Sequence, residues 1–156
     1  MNTYFAVTSL ADMSPLEVHK LYKLRVDTIG TGIDDADANP GTHHVLAWDH
    51  TDRPSPELHG YARILPTSTG VLEVTELSHL YAVDGSGLVR DILDNALRLA
   101  AERYPDRDVV VTAPEDLQGL YESFGFRSYG RPGDGGHPMI LSTTRLHAVY
   151  GDKVNA

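Results

Sequence analysis

The sequence contains no cysteine, which rules out disulfides, thiol nucleophiles and zinc sites built on thiolates, and fits a reducing compartment. No stretch approaches the ~20 consecutive apolar residues that a membrane-spanning helix requires. The opening Met1-Asn2-Thr3-Tyr4-Phe5-Ala6-Val7 lacks the basic and then long apolar segments of a secretory signal. Cations are scarce: 13 Lys and Arg stand against 22 Asp and Glu, a net charge of −9. Broad attraction to nucleic-acid phosphates or an anionic membrane is therefore disfavoured, and any phosphate contact must be local. Internal repeats, low-complexity tracts and a Gly-x-Ser-x-Gly nucleophile motif are missing as well. What is there is a chain of 156 residues, 41% hydrophobic and 22% charged, the makeup of one ordinary globular domain expected in the cytoplasm.

Along the chain, Tyr4-Phe5-Ala6-Val7 reads as a first strand. Ser14, Pro15 and Glu17 supply an N-cap, a first-turn proline and a capping-box acid, so a helix is predicted over about Pro15 to Thr28. Residues 30–42 have breakers and no apolar period, the mark of a long loop. Strands follow at His44–Trp48, Leu58–Leu65 and Val71–Val83. Gly85-Ser86-Gly87 opens a helix running to Arg103, with Leu88, Ile92, Ala96, Leu99 and Ala100 on one stripe. Val109–Thr112 suits a buried strand, a short helix starts at Pro114, and Phe126–Tyr129 with Met139–Thr143 read as a closing pair. The order predicts an α/β fold with a mixed, mostly antiparallel sheet of about seven strands, a single domain over 1–144 and a tail over 145–156.

That order, the glycine turn before the second long helix, and Leu120-Tyr121-Glu122-Ser123-Phe124-Gly125-Phe126 resemble the GNAT acyltransferase superfamily. Tyr61-Ala62-Arg63-Ile64-Leu65-Pro66-Thr67 and Glu76-Leu77-Ser78-His79-Leu80-Tyr81-Ala82-Val83-Asp84 are further similar to segments of acyl-homoserine-lactone (autoinducer) synthases. The first string also resembles small GNAT acyltransferases. The resemblance implies N-acyl transfer from a phosphopantetheine thioester, on coenzyme A or an acyl-carrier protein, to the amine of a small molecule. It places the pantetheine arm where the fourth and fifth strands part, against Leu80 and Ala82, with its phosphate at the helix tip formed by Gly85, Gly87, Leu88, Val89 and Arg90. Free backbone N–H groups and the helix dipole favour an anion there, and glycine permits close approach.

At that turn the outer motif positions hold Asp84 and Val89, where the family has a basic or amide residue and a small one. A carboxylate ~5 Å from phosphate repels it by about a kcal/mol or more, which favours the single phosphodiester of a carrier-protein arm over coenzyme A. Carrier proteins are commonly acidic, so a carrier would need a local basic patch, drawn from Arg90, Arg98, Arg103, Arg107, Arg127 and Arg131.

Aminolysis of a thioester needs a deprotonated amine and a protonated leaving thiolate. By resemblance Glu76 is the first candidate base, its alternative being an ion pair with Arg63 on the neighbouring strand. His79 is the second, of opposite strand parity, so that both face one cleft only across a bulge. Tyr121 occupies the position of the GNAT tyrosine that protonates the thiolate, the alternative being an aromatic anchor. On the acceptor side, Arg25, Arg63 and the i, i+3 pair Asp34 and Asp37 resemble autoinducer-synthase residues, and the two acids can hold an ammonium. His137 is read as a loop residue at the pocket edge. Adjacent His43 and His44 would point to opposite strand faces, against a shared metal. Ile29 and Gly30 stand where autoinducer synthases carry bulky rings, so a different amine acceptor is expected. The alternatives are an acyl-CoA-dependent GNAT N-acetyltransferase, a silent GNAT-like binding module and autoinducer synthesis itself.

Overall fold

A computed structural model describes residues 3–30, 32–50, 55–83, 87–133 and 135–154. Its strands are β1 (Thr3–Thr8), β2 (His43–Asp49), β3 (Glu57–Thr69), β4 (Leu72–Ala82), β5 (Asp108–Ala113), β6 (Arg127–Ser128) and β7 (His137–Leu141). The helices are α1 (Pro15–Ile29), α2 (Gly87–Arg103), α3 (Gln118–Ser123) and α4 (Thr143–Val154). The strands form one seven-stranded sheet in the order β1-β2-β3-β4-β5-β7-β6. Its described pairings are antiparallel except for β4 with β5. The predicted mixed sheet is what forms. No helix among the described residues is long and apolar enough to cross a membrane.

The chain divides into two compact units, one of residues 1–65 and 79–93, the other of 66–78 and 94–156. In the first unit α1 starts as its sequence dictates. Glu17 N–H donates to Ser14 Oγ (3.2 Å) and Ser14 N–H to Glu17 Oε1 (2.8 Å), so two end-of-helix donors are satisfied at once. Gly30 closes the helix at φ 86°, its N–H reaching the Arg25 and Val26 carbonyls.

A bulge sets which side chains face α1. β2 and β3 pair Ala47 with Gly60 but Trp48 with Leu58, leaving His59 as the extra residue. That shift flips the alternation of β3. Leu58 and Tyr61, of opposite parity, both join Leu21, Leu46 and Trp48 in one buried cluster. On the other face Gly60 is the contact for α2: a Cβ there would lie 2.2 Å from Ile92 Cδ1 and 3.1 Å from the Tyr81 carbonyl.

In the second unit β5 pairs with β7 over Val109–Ala113, burying Val109, Val111, Ala113, Met139 and Leu141. Gly136 passes so near Ala113 that a Cβ would stand 2.1 Å from its carbonyl oxygen. Arg107 ties the start of β5 to the β3–β4 hairpin, donating to the Thr67 carbonyl (3.2 Å) and pairing with Glu73 (3.5 Å). Residues 145–154, in the stretch read as a tail or added element, supply most of α4. Leu146 and Tyr150 are buried, and the Tyr150 hydroxyl donates to Asp94 Oδ1 at 2.7 Å. The turn residues Asp84 and Gly85 lie outside the described residues.

Candidate functional site

The long loop after α1 is organised by charge. Asp37 is fully buried, and its Oδ1 accepts from Arg25 (2.6 Å) and Arg63 (2.9 Å) while its Oδ2 accepts from the Asp34 backbone N–H (2.7 Å). Asp34 closes the ring. Its Oδ1 accepts from Arg63 at 3.0 Å and from the Asp37 N–H at 3.0 Å. Arg25 and Arg63 are themselves buried, which planar, weakly hydrated guanidiniums tolerate when paired. Burial alone would raise the Asp37 carboxyl pKa, but the Asp34 amide and the two guanidiniums overcome it and hold the value at about 2. Burial would likewise lower Arg63, and the Asp37 carboxylate keeps it raised. The four predicted acceptor-side residues thus do come together, with an unequal division of labour. Asp37 spends its lone pairs inside the cluster, whereas the Asp34 side chain is 52% exposed.

Two residues to which the sequence assigned no role in this loop hold it. The buried His44 reaches the Asp37 carbonyl through Nε2 (3.0 Å) and the Tyr61 hydroxyl through Nδ1 (2.5 Å). A carbonyl only accepts, so His44 carries its proton on Nε2 and Tyr61 donates to Nδ1. Burial lowers the His44 pKa, opposed by the Asp37 carbonyl, and raises that of Tyr61; both stay neutral. The parity of β2 was the available signal, since His44 shares a face with Leu46 and Trp48.

His79 completes this unit's polar group. It is the one non-glycine among the described residues with positive φ, at 61°, an uncommon, strained conformation outside glycine and asparagine. Its Nε2 lies 3.5 Å from Arg25 and, since guanidinium only donates, acts as the acceptor. Burial and then the positive charges of Arg63 and Arg25 push its pKa down to about 4, against the opposing Asp37 and Asp34. At neutral pH His79 is an uncharged imidazole. Its left-handed backbone departs from the extended conformation of the rest of β4.

In the second unit Glu76 is exposed and sits opposite Val110 at the end of the parallel pairing, which covers Val74–Glu76 while β4 continues to Ala82. Arg63, in the first unit, pairs with Asp34 and Asp37. Tyr121 is buried edge-on against Phe126, with centroids 5.2 Å apart. Burial raises its pKa, so the phenol keeps its proton. His137 opens β7 opposite Ala113. Arg98 pairs with Asp94 one helical turn away (3.1 Å), so it and Arg107 already have acidic partners.

At the start of α2 Gly87 and Arg90 are exposed, while Leu88 and Val89 bury their side chains. Contact of Leu88 or Val89 with an anion would therefore run through the backbone. Leu80 is half-buried and Ala82 buried. A groove of about 400 Å³ beside α1 is lined by Lys20, Lys23, Leu24, Leu58, His59 and Val83 among others, and no predicted site residue lines it. Among the described residues no group of three or more His, Asp or Glu is placed to hold a metal.

No family model matches the chain. Over 101 residues it is 31% identical to protein ElaA of Escherichia coli, spanning 60% of the length of that curated relative. The crystal structure of Escherichia coli ElaA superposes with a TM-score of 0.75 at 24% identity, over 88% of this chain and 97% of that one. An acyl-CoA N-acyltransferase from Pseudomonas aeruginosa gives a TM-score of 0.76 at 21% identity, covering 89% and 98%. A GNAT-family acetyltransferase from Staphylococcus aureus gives 0.62 at 12%, covering 90% and 99%. The chain has the GNAT fold.

Proposed function

We propose that this protein is an N-acyltransferase that moves an acyl group directly from a phosphopantetheine thioester to the amine of a small molecule. One observation carries the reading. β4 stops pairing with β5 at Glu76 yet runs on to Ala82 with a left-handed His79, so the strand continues past its parallel partner and an extended arm can pair along Leu80–Ala82. The first amides of α2, from Gly87, receive the phosphate end.

In the reaction the amine nitrogen attacks the thioester carbon, the C–S bond breaks, the amine gives up a proton and the thiolate takes one. Glu76, exposed and ionisable, is the base, directly or through water. His79, held neutral beside two guanidiniums, is a weak base and serves to position Arg25. Tyr121, protonated by its burial, is the donor to the thiolate. Within the first unit the half-exposed Asp34, anchored by Arg63, is the carboxylate offered to an ammonium.

The donor we assign is acyl-CoA, in keeping with the Pseudomonas aeruginosa neighbour. The carrier-protein preference rests on Asp84, outside the described residues. Because the chain has no cysteine, a thiol-reactive dye sees only thiol released from the donor. Incubating the protein with a panel of acyl-CoAs, acyl-carrier proteins and amines, S-adenosylmethionine included, should release thiol with acyl-CoA and yield an amide by mass. Turnover with carrier protein alone would reverse the donor assignment, and no acyl product with any pair would leave the silent binding module.

A further inference from the structure

The two ends of the sheet are treated differently. At one end β6 is two residues long and includes Arg127, and short, charged strands are how natural sheets blunt an edge. At the other end β1 runs six residues, Thr-Tyr-Phe-Ala-Val-Thr, without a charge or a proline. Its inner side pairs with β2 from Thr3 opposite Asp49 to Thr8 opposite His44. As the last strand in the order, it turns half of its backbone N–H and C=O groups away from β2, toward an edge that no other described strand occupies. Tyr4, Phe5 and Val7 are 46%, 36% and 48% exposed along it.

We propose that β1 is a self-association edge, pairing antiparallel with β1 of a second copy about a two-fold axis at Ala6. The symmetry restricts the register. A two-fold axis normal to a continuous sheet opposes only residues of equal parity, because each keeps its face. Centring on Ala6 sets Phe5 opposite Val7 of the other copy, and Tyr4 opposite Thr8, each pair occurring twice. Aromatic residues opposite β-branched ones are the favourable cross-strand combination. A second copy fits this edge because the strand complements itself and because its uncharged residues let two chains of net charge −9 meet where neither carries charge. None of the proposed acyl-transfer residues lies on β1.

The absence of cysteine makes a register test available. Across an antiparallel pair, Cα atoms lie ~4.5–5.5 Å apart, within disulfide reach. Ala6→Cys should therefore cross-link to a covalent dimer on mild oxidation. Thr8→Cys, whose copies would be about 14 Å apart by strand rise, should cross-link at least about tenfold less. Light scattering of the unmodified chain should give twice its 17.1 kDa, and Val7→Lys should return it to one chain mass with its far-ultraviolet spectrum and acyl transfer retained. Equal cross-linking at positions 6 and 8, or a single-chain mass for the unmodified protein at every concentration, would overturn the proposal.

Discussion

Replacing Asp37 by asparagine removes one charge and almost no volume, and it strikes the centre of the buried cluster. In the native chain one oxygen of Asp37 serves Arg25 at 2.6 Å and Arg63 at 2.9 Å, while the other takes the Asp34 N–H at 2.7 Å. An amide can meet the first demand with its oxygen only by turning its NH2 toward the Asp34 N–H, donor against donor. Whichever way it turns, two buried guanidiniums lose their buried counter-charge, and only the half-exposed Asp34 remains. Breaking one side of a buried ion pair costs ~3–5 kcal/mol. For a domain of this size each kcal/mol moves the midpoint by about 2–4 °C, so the unfolding midpoint should fall by roughly 6–20 °C. The pH dependence supplies a second signature. The folded pKa of Asp37, about 2, lies below the ordinary 3.8, so its stabilisation is complete above the higher value and is lost as pH falls through the lower. That contribution, on the order of 2 kcal/mol, should be missing from the acid limb of Asp37→Asn. Calorimetry from pH 7 to pH 2 reads both quantities. A midpoint within about 2 °C of wild type, with an unchanged acid limb, would refute the assignment of Asp37 as the charge that holds this loop.

Other consequences can be measured on the same protein. His79 has a folded pKa of about 4 against the ordinary 6.5, so between these values the unfolded chain takes a proton that the folded one refuses, and stability should decline as pH drops through that window. His79→Asn keeps a residue tolerant of the left-handed backbone and should flatten that part of the curve; an equal decline in the variant would exclude His79 as its source. Gly136→Ala should lose more than about 2 kcal/mol in urea unfolding, because the new methyl meets the Ala113 backbone at 2.1 Å and φ 127°. A variant as stable as wild type would mean that the approach is not close. Under the proposed reaction, Glu76→Gln and Tyr121→Phe should each slow turnover by ~10²-fold or more with unchanged thermal midpoints, and unaltered rates would strip those residues of their roles.

Much of the fold was readable in the sequence, and the exceptions have physical reasons. α1 was legible because Ser14, Pro15, Glu17 and Gly30 write its boundaries in local chemistry, which the side-chain and backbone bonds then realise. α4 was not, since Leu146 and Tyr150 reveal their purpose only when Asp94, far away in sequence, is brought to the Tyr150 hydroxyl. The same division runs through the site. Arg25, Asp34, Asp37 and Arg63 could be grouped by family likeness, but which acid would be buried follows from the fold of residues 34–42, where the Thr42 hydroxyl also closes on the Ala36 carbonyl at 2.6 Å. The neighbourhood of Tyr61 was hidden by the His59 bulge, because alternation counted straight through β3 places Tyr61 and Leu58 on opposite faces.

The central claim is that a thioester-bearing arm lies along the stretch of β4 beyond its pairing with β5. Amide hydrogen exchange with and without coenzyme A tests it at the backbone itself. Slowed exchange concentrated in Leu80–Ala82 and the first turn of α2 is the expected result. Saturating coenzyme A that leaves those amides exchanging at their free rate, or protects only a distant segment such as the groove beside α1, would contradict it.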